Sequence, residues 1–420
     1  MLELTVLLKP IAAKIAGSVC AAVLTKQLTD KAQQKQINLC VEGLCHHWDV
    51  TGHKIEDTPA DFMRENDKLD LLRRIAARMQ HAASGLSGNA ILAEDLQDEI
   101  EHYLSQRWQQ SPAEAARIGH AMIEQLRARN FILCFYGISI YGFVHRTFLE
   151  YFCATEIKQR FDKRGLVGGI NEAELTALFL EHYEDDTWHE ILRLICGMVS
   201  PQFAMQLIEV ILPDRTVAFE QSKPLTLAIQ CLAEVADLNE IPETSKRVLD
   251  SLYGWFEHKG DREGNRDGSI EGLFEKNALP AVERIGKSWA GREAGVNWLK
   301  LTDKRTGTFA GSYCFGRMVA ALWSDHAEIE QYLITLSQTQ DISMQHMAFD
   351  ALARCFKEST KALLIEQLMK IQHPSCVWTL TKHYLDHPET YTLLTKCFQN
   401  EHSDVRQATV LALAKELGFN

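Results

Sequence analysis

The sequence predicts a mainly α-helical protein: a helical subdomain, a compact helix–hairpin–helix unit, and a long array of stacked helices. Three observations predict it. Apolar residues recur at three- and four-residue steps along most of the 420 residues, the spacing of one helical face. A single β-rich stretch, Phe131-Ile-Leu-Cys-Phe-Tyr136, Gly137 and Ile138-Ser-Ile-Tyr-Gly-Phe143, reads as two short strands about a glycine. Three later segments resemble one another: Leu227-Ala-Ile-Gln-Cys-Leu-Ala-Glu234, Met347-Ala-Phe-Asp-Ala-Leu-Ala-Arg354 and Ala408-Thr-Val-Leu-Ala-Leu-Ala-Lys415. They start 120 and 61 residues apart, near multiples of thirty, as a repeated helical pair would.

Residues 1–36 form the first element, an N-terminal helical segment in which Leu4, Leu8, Ile11, Ile15 and Val19 make one stripe. Residues 37–107 read as a helical subdomain. Leu39, Cys40, Leu44, Cys45 and Trp48 share a face, and a polar loop runs from Asp49 to Asn66. A helix over Leu69–Met79 is expected to bury Leu72, Ile75, Ala76 and Met79, and turn residues over Ala83–Asn89 end it. A third helix is predicted over Glu94–Trp108. Ser111-Pro112-Ala113-Glu114 is a capping signature, with proline at the first helical position and glutamate at the third, and opens a helix running to about Arg129. The hairpin about Gly137 follows, and another helix begins near His145. Helix, hairpin and helix over 108–160 predict a winged helix, with Phe143, Phe148, Tyr151 and Phe152 as its core. Beyond Thr155 only amphipathic helices of 10–16 residues are expected. Asp404-Val405-Arg406 is the tripeptide that opens the second helix of many HEAT repeats, so residues 161–420 are read as a HEAT-like α-solenoid.

Charge narrows the partners. The chain carries 44 Lys+Arg against 56 Asp+Glu, a net charge of −12. Residues 1–160 hold 18 bases and 19 acids, so the excess acid lies in residues 161–420, with 26 bases against 37 acids. Nucleic acid and anionic membranes both need a cationic footprint, so neither is expected as the partner. The eleven cysteines are odd in number and irregular in spacing; Cys196, Cys231, Cys355 and Cys397 sit in apolar helical runs, which suits a reducing cytoplasm. Ile11–Leu24 is apolar but carries Lys14 and no preceding basic region, so it is not read as an export signal. No run of about 18 apolar residues is present to span a membrane.

The segment Leu126-Arg-Ala-Arg-Asn-Phe-Ile-Leu133 through Tyr141-Gly-Phe-Val-His-Arg-Thr-Phe-Leu-Glu-Tyr-Phe-Cys-Ala154 resembles the winged-helix end of the NACHT-type NTPase module in bacterial NLR-related (STAND) proteins. Cys40-Val-Glu-Gly-Leu-Cys-His-His-Trp-Asp49 and Leu71-Leu-Arg-Arg-Ile-Ala-Ala-Arg-Met79 resemble the helical subdomain before it, and Asp186-Thr-Trp-His-Glu-Ile-Leu-Arg-Leu-Ile195 the helix that starts the repeat sensor. In that family a P-loop core comes before the helical subdomain; here 36 residues precede it. The chain therefore looks like a NACHT protein without its NTPase core. Gly286-Lys287-Ser288 is no P-loop, because Ala281 stands where the first glycine should be and no strand precedes it. No ATP hydrolysis is expected. The resemblance implies that His145 matches a histidine contacting the diphosphate of bound ADP. With no P-loop to complete a pocket, it is read as vestigial or structural.

Other candidate sites read as ordinary structure. Cys40, Cys45, His46, His47 and His53 lack the turn of a structural zinc site, so no metal is expected. Asp261–Gly268 faintly matches a calcium loop, but Phe274 takes the place of the bidentate acid, and a charged insertion between repeats is expected. Glu99 and His102 read as a solvated helix face. The helix carrying Phe148, Leu149, Glu150, Tyr151 and Phe152 suits burial rather than DNA. No catalytic constellation or cofactor is expected. The chain is read as a non-catalytic regulator that binds and inhibits or tunes a full-length NACHT relative in anti-phage defence. The alternative is an independent HEAT-repeat sensor or scaffold that binds a phage or host protein.

Overall fold

The computed structural model describes residues 65–82, 88–129, 133–212, 222–259, 274–302, 313–339, 342–355, 377, 380–382 and 388–416. The N-terminal segment, Cys40, Cys45, His46, His47, His53 and the Asp261–Gly268 loop lie outside them. The chain divides into two compact units, residues 1–210 and 211–420. Both are mainly helical, and among the described residues no helix is long and apolar enough to cross a membrane.

The first unit begins with α1 (Glu65–His81), β1 (Ile91–Leu92), α2 (Ala93–Trp108) and α3 (Pro112–Arg129). It continues through β2 (Leu133–Gly137), β3 (Ile140–Phe143), α4 (Arg146–Asp162), α5 (Glu172–His182), α6 (His189–Met198) and α7 (Pro201–Ile211). The stripe expected on α1 is its core face: Leu72, Ile75, Ala76 and Met79 are all buried. α1 and α6 both pack on α4, which buries Phe148, Leu149, Phe152, Cys153, Ile157 and Phe161. Ser111 caps α3 as predicted, its Oγ accepting from the Glu114 N–H at 3.4 Å. Tyr151 departs from expectation. It is half-buried, leaning edge-on against Phe152 at 5.7 Å, because position 151 turns away from the face that carries 148, 149 and 152.

The hairpin differs from its sequence reading in two ways. Its turn is centred on Ile138 and Ser139, both at positive φ (48° and 59°), while Gly137 ends β2. It also belongs to a three-stranded antiparallel sheet of order β1-β3-β2, in which Ile91 faces Tyr141 and Leu92 faces Ile140. Asn89 prolongs that pairing with its side chain. Its Nδ2 donates to the Phe143 carbonyl at 2.9 Å, and its Oδ1 accepts from the Phe143 N–H at 3.2 Å. Only glycine fits opposite: a Cβ on Gly142 would lie 2.3 Å from the Asn89 carbonyl oxygen and 2.6 Å from the Tyr136 ring. The sheet thus joins residues on both sides of the 107/108 boundary drawn from sequence.

The second unit contains α8 (Ser222–Glu234), α9 (Pro242–Lys259), α10 (Leu279–Ile285), α11 (Arg292–Thr302), α12 (Tyr313–Trp323), α13 (Ala327–Leu336), α14 (Ile342–Cys355), α15 (Pro388–Phe398) and α16 (Ser403–Glu416). Alternate helices are neighbours. α8, α10, α12 and α14 pack in succession, while α9 packs on α11. Tyr332 of α13 donates its hydroxyl to the Leu299 carbonyl of α11 at 3.4 Å. This is the two-layered stacking of a helical solenoid. Two of the three similar segments lie in the same layer, on α8 and α14, and each buries its small and branched residues, Ala228 and Leu232 in one and Ala348 and Leu352 in the other.

Ties between successive helices hold the layers in register. Trp289 Nε1 donates to the Ser245 carbonyl at 2.7 Å, Arg292 pairs with Asp325 at 2.7 Å, and Arg317 pairs with Glu283 at 2.6 Å. The Asp-Val-Arg tripeptide opens α16. Val405 is buried, and Arg406 Nη1 donates to the Asn400 and Glu401 carbonyls at 2.6 and 2.9 Å, tying α16 to the turn that joins it to α15. Gly286-Lys287-Ser288 forms a 3₁₀ turn directly after α10, with no strand before it.

Candidate functional site

His145 is the N-cap of α4. Its backbone is extended (φ −142°, ψ 136°), and the ring turns back on the first turn of the helix. Nδ1 accepts from the Thr147 N–H at 3.3 Å and lies 2.9 Å from Thr147 Oγ1. A ring that caps through Nδ1 carries its proton on Nε2 when neutral, so the exposed imidazole has a donor available. The histidine thus has a structural task, one orphan donor of the helix satisfied by its ring.

Arg146, next to His145, is engaged within the fold. Its Nε pairs with Glu150 at 2.8 Å, and Nη2 donates to the Thr187 carbonyl at 3.1 Å. Gln80 reaches the same carbonyl at 3.3 Å. Burial pushes the Glu150 carboxyl up, and the hydrogen bond and charge of Arg146 pull against that shift. The arginine therefore binds α4 to the turn before α6. Sequence reasoning missed Asn89 and Thr187, which lie in turns and act through local polar contacts rather than a repeating pattern.

Compared with protein-family models, curated proteins and solved structures, the chain has no match.

The hairpin and its neighbouring edge strand also carry exposed apolar side chains. Ile138 is 93% exposed at the turn, Tyr136 57% and Val144 48%, and Leu92 of the neighbouring edge strand is also exposed. Tyr136 is fixed in place by donating its hydroxyl to the Phe143 carbonyl at 2.9 Å. Ile138 is the unusual member. A β-branched residue in the left-handed region costs on the order of 1–2 kcal/mol, and turns of this kind normally carry Asn-Gly. Among the described residues no group of three or more His, Cys, Asp or Glu side chains is placed to hold a metal ion.

Proposed function

We propose that the chain is a non-catalytic regulatory protein that binds a full-length NACHT-type NTPase and inhibits or tunes it in cytoplasmic anti-phage defence. In this reading residues 108–160 are a winged helix of that family and residues 161–420 a HEAT-like array. One observation supports it most: the turn carries Ile138, an apolar side chain held at backbone cost and facing solvent. Removing a side chain of that size from water is worth about 1.5–3 kcal/mol, which is enough to offset a strain of about 1–2 kcal/mol in the turn. Phosphate contact by His145 has less support, since Nδ1 and Arg146 are both engaged within the fold.

The second reading, an independent sensor or scaffold for a phage or host protein, is favoured by the stacked layers of the second unit, since arrays of helix pairs naturally offer an extended binding surface. Affinity capture of the whole chain from phage-infected and uninfected cells separates the two. The proposal expects a NACHT protein in the eluate, lost with Ile138→Asp. Recovery of a phage protein without any NACHT protein favours the sensor.

A further inference from the structure

Three helices of the first unit turn polar faces toward one open cleft of about 580 Å³. α1 contributes Asp70, Arg74 and Arg78 at helical spacing, α2 contributes Glu99, His102 and Gln106, and α4 contributes Glu156, Gln159 and Arg160, with Lys163 as its C-cap. Ala77 forms a small floor between them, and His81, packed on Trp188 at 5.0 Å between ring centroids, closes one end.

The ion pairs within the cleft do not balance. Asp70 is held by Arg73 at 2.6 Å, and Glu99 and Asp95 are both held by Arg78, at 3.4 and 2.9 Å. Among the described residues Arg74 meets the neutral Gln106 at 3.2 Å and the Tyr103 ring at 5.1 Å, and no carboxylate within ion-pair distance. Arg160 gives its Nε to the Gly168 carbonyl at 3.2 Å, and among the described residues neither it nor the Lys163 ammonium has a carboxylate within ion-pair distance. Glu156 feels the charges of Arg74, Arg73 and Arg160 without a hydrogen bond to any of them. Three cations thus face the cleft against one unmatched acid, and burial drives that acid toward its neutral form.

We propose that this cleft binds a small phosphorylated molecule. The cations arrive from α1 and from the last turn and C-cap of α4, with amide and imidazole side chains between them. A tetrahedral phosphate accepts from several such directions at once, whereas a planar carboxylate accepts mainly in one plane. The volume suits a ligand of the size of a mononucleotide. Glu156, when protonated, adds a donor rather than a repulsive charge. This site is independent of the hairpin and of the partner proposed above.

Titration calorimetry of the full chain with inorganic pyrophosphate at low salt tests it. One saturable site is expected, weakened about tenfold or more by Lys163→Gln and by Arg74→Gln, since each removes a charged hydrogen bond. Lys163 is exposed, so its variant keeps the test intact should Arg74→Gln misfold. Succinate should bind at least about tenfold more weakly than pyrophosphate. No saturable heat, affinity unchanged in Lys163→Gln, or equal binding of succinate would overturn the proposal.

Discussion

Replacing Ile138 by asparagine separates the stability of the hairpin from what its turn is for. Ile138 has φ 48°, is 93% exposed, and is followed by Ser139 at φ 59°. The native side chain therefore contributes almost no burial, and its β-branch is paid for in backbone strain of roughly 1–2 kcal/mol. Asparagine tolerates the left-handed region better, and glycine at 139 removes the second penalty. Ile138→Asn alone should stabilise by about 0.5–1 kcal/mol, and Ile138→Asn with Ser139→Gly by about 1–2 kcal/mol. For a unit of this size that corresponds to a rise of roughly 2–8 °C in the transition that reports its unfolding, read by scanning calorimetry. The same variants should lose the proposed NACHT partner in affinity capture. An unchanged or lowered transition would refute the reasoning, because it would mean that Ile138 packs in the fold or that the turn has another geometry.

Three further outcomes follow from the first unit. Phe148→Ala empties a buried position of α4 and should cost about 3–5 kcal/mol, seen as a lower melting transition; a parental melt would displace α4 from the core. Gly142→Ala drives a Cβ to 2.3 Å from the Asn89 carbonyl, breaks the exchange between Asn89 and Phe143, and should cost about 2–4 kcal/mol by denaturant titration. Glu156→Gln should raise stability at neutral pH and lose that advantage in acid. The folded carboxyl is raised by burial, so its contribution is full below the ordinary glutamate value and falls as pH rises through the folded value; melts at pH 7 and pH 4 check the sign.

How much of this was legible depended on the length of each pattern. The face of α1 and the core of α4 repeat over several turns, so Leu72, Ile75, Phe148 and Phe152 could be placed from spacing alone. The cap at Ser111 and the tripeptide at Asp404 are local chemistry and appear where expected. β1 is two residues long, shorter than any period, and exists because β3 offers it an edge. The turn was misplaced because Gly137 is a stronger turn signal than Ile-Ser, and the sheet overrode that preference. Tyr151 sits one position off the buried face of its helix. The cleft was invisible for another reason. Glu99 and His102, read singly, are a solvated helix face; they line a site only because α1 and α4 bring Arg74, Arg160 and Lys163 opposite them. Sequence shows stripes, and tertiary packing decides which stripes meet.

The central claim is regulation of a NACHT protein, and phage plaque counts test it most directly. Cells expressing a full-length NACHT protein with this chain are compared with cells expressing the NACHT protein alone. Charge and repeat architecture favour two weak contacts, one near the hairpin and one on the acidic helical array, which reinforce each other when joined in one chain. The account predicts that the whole chain raises plaque counts by weakening protection, that Ile138→Asp restores protection, and that either half alone has little effect. Protection unchanged in the presence of the whole chain would contradict it.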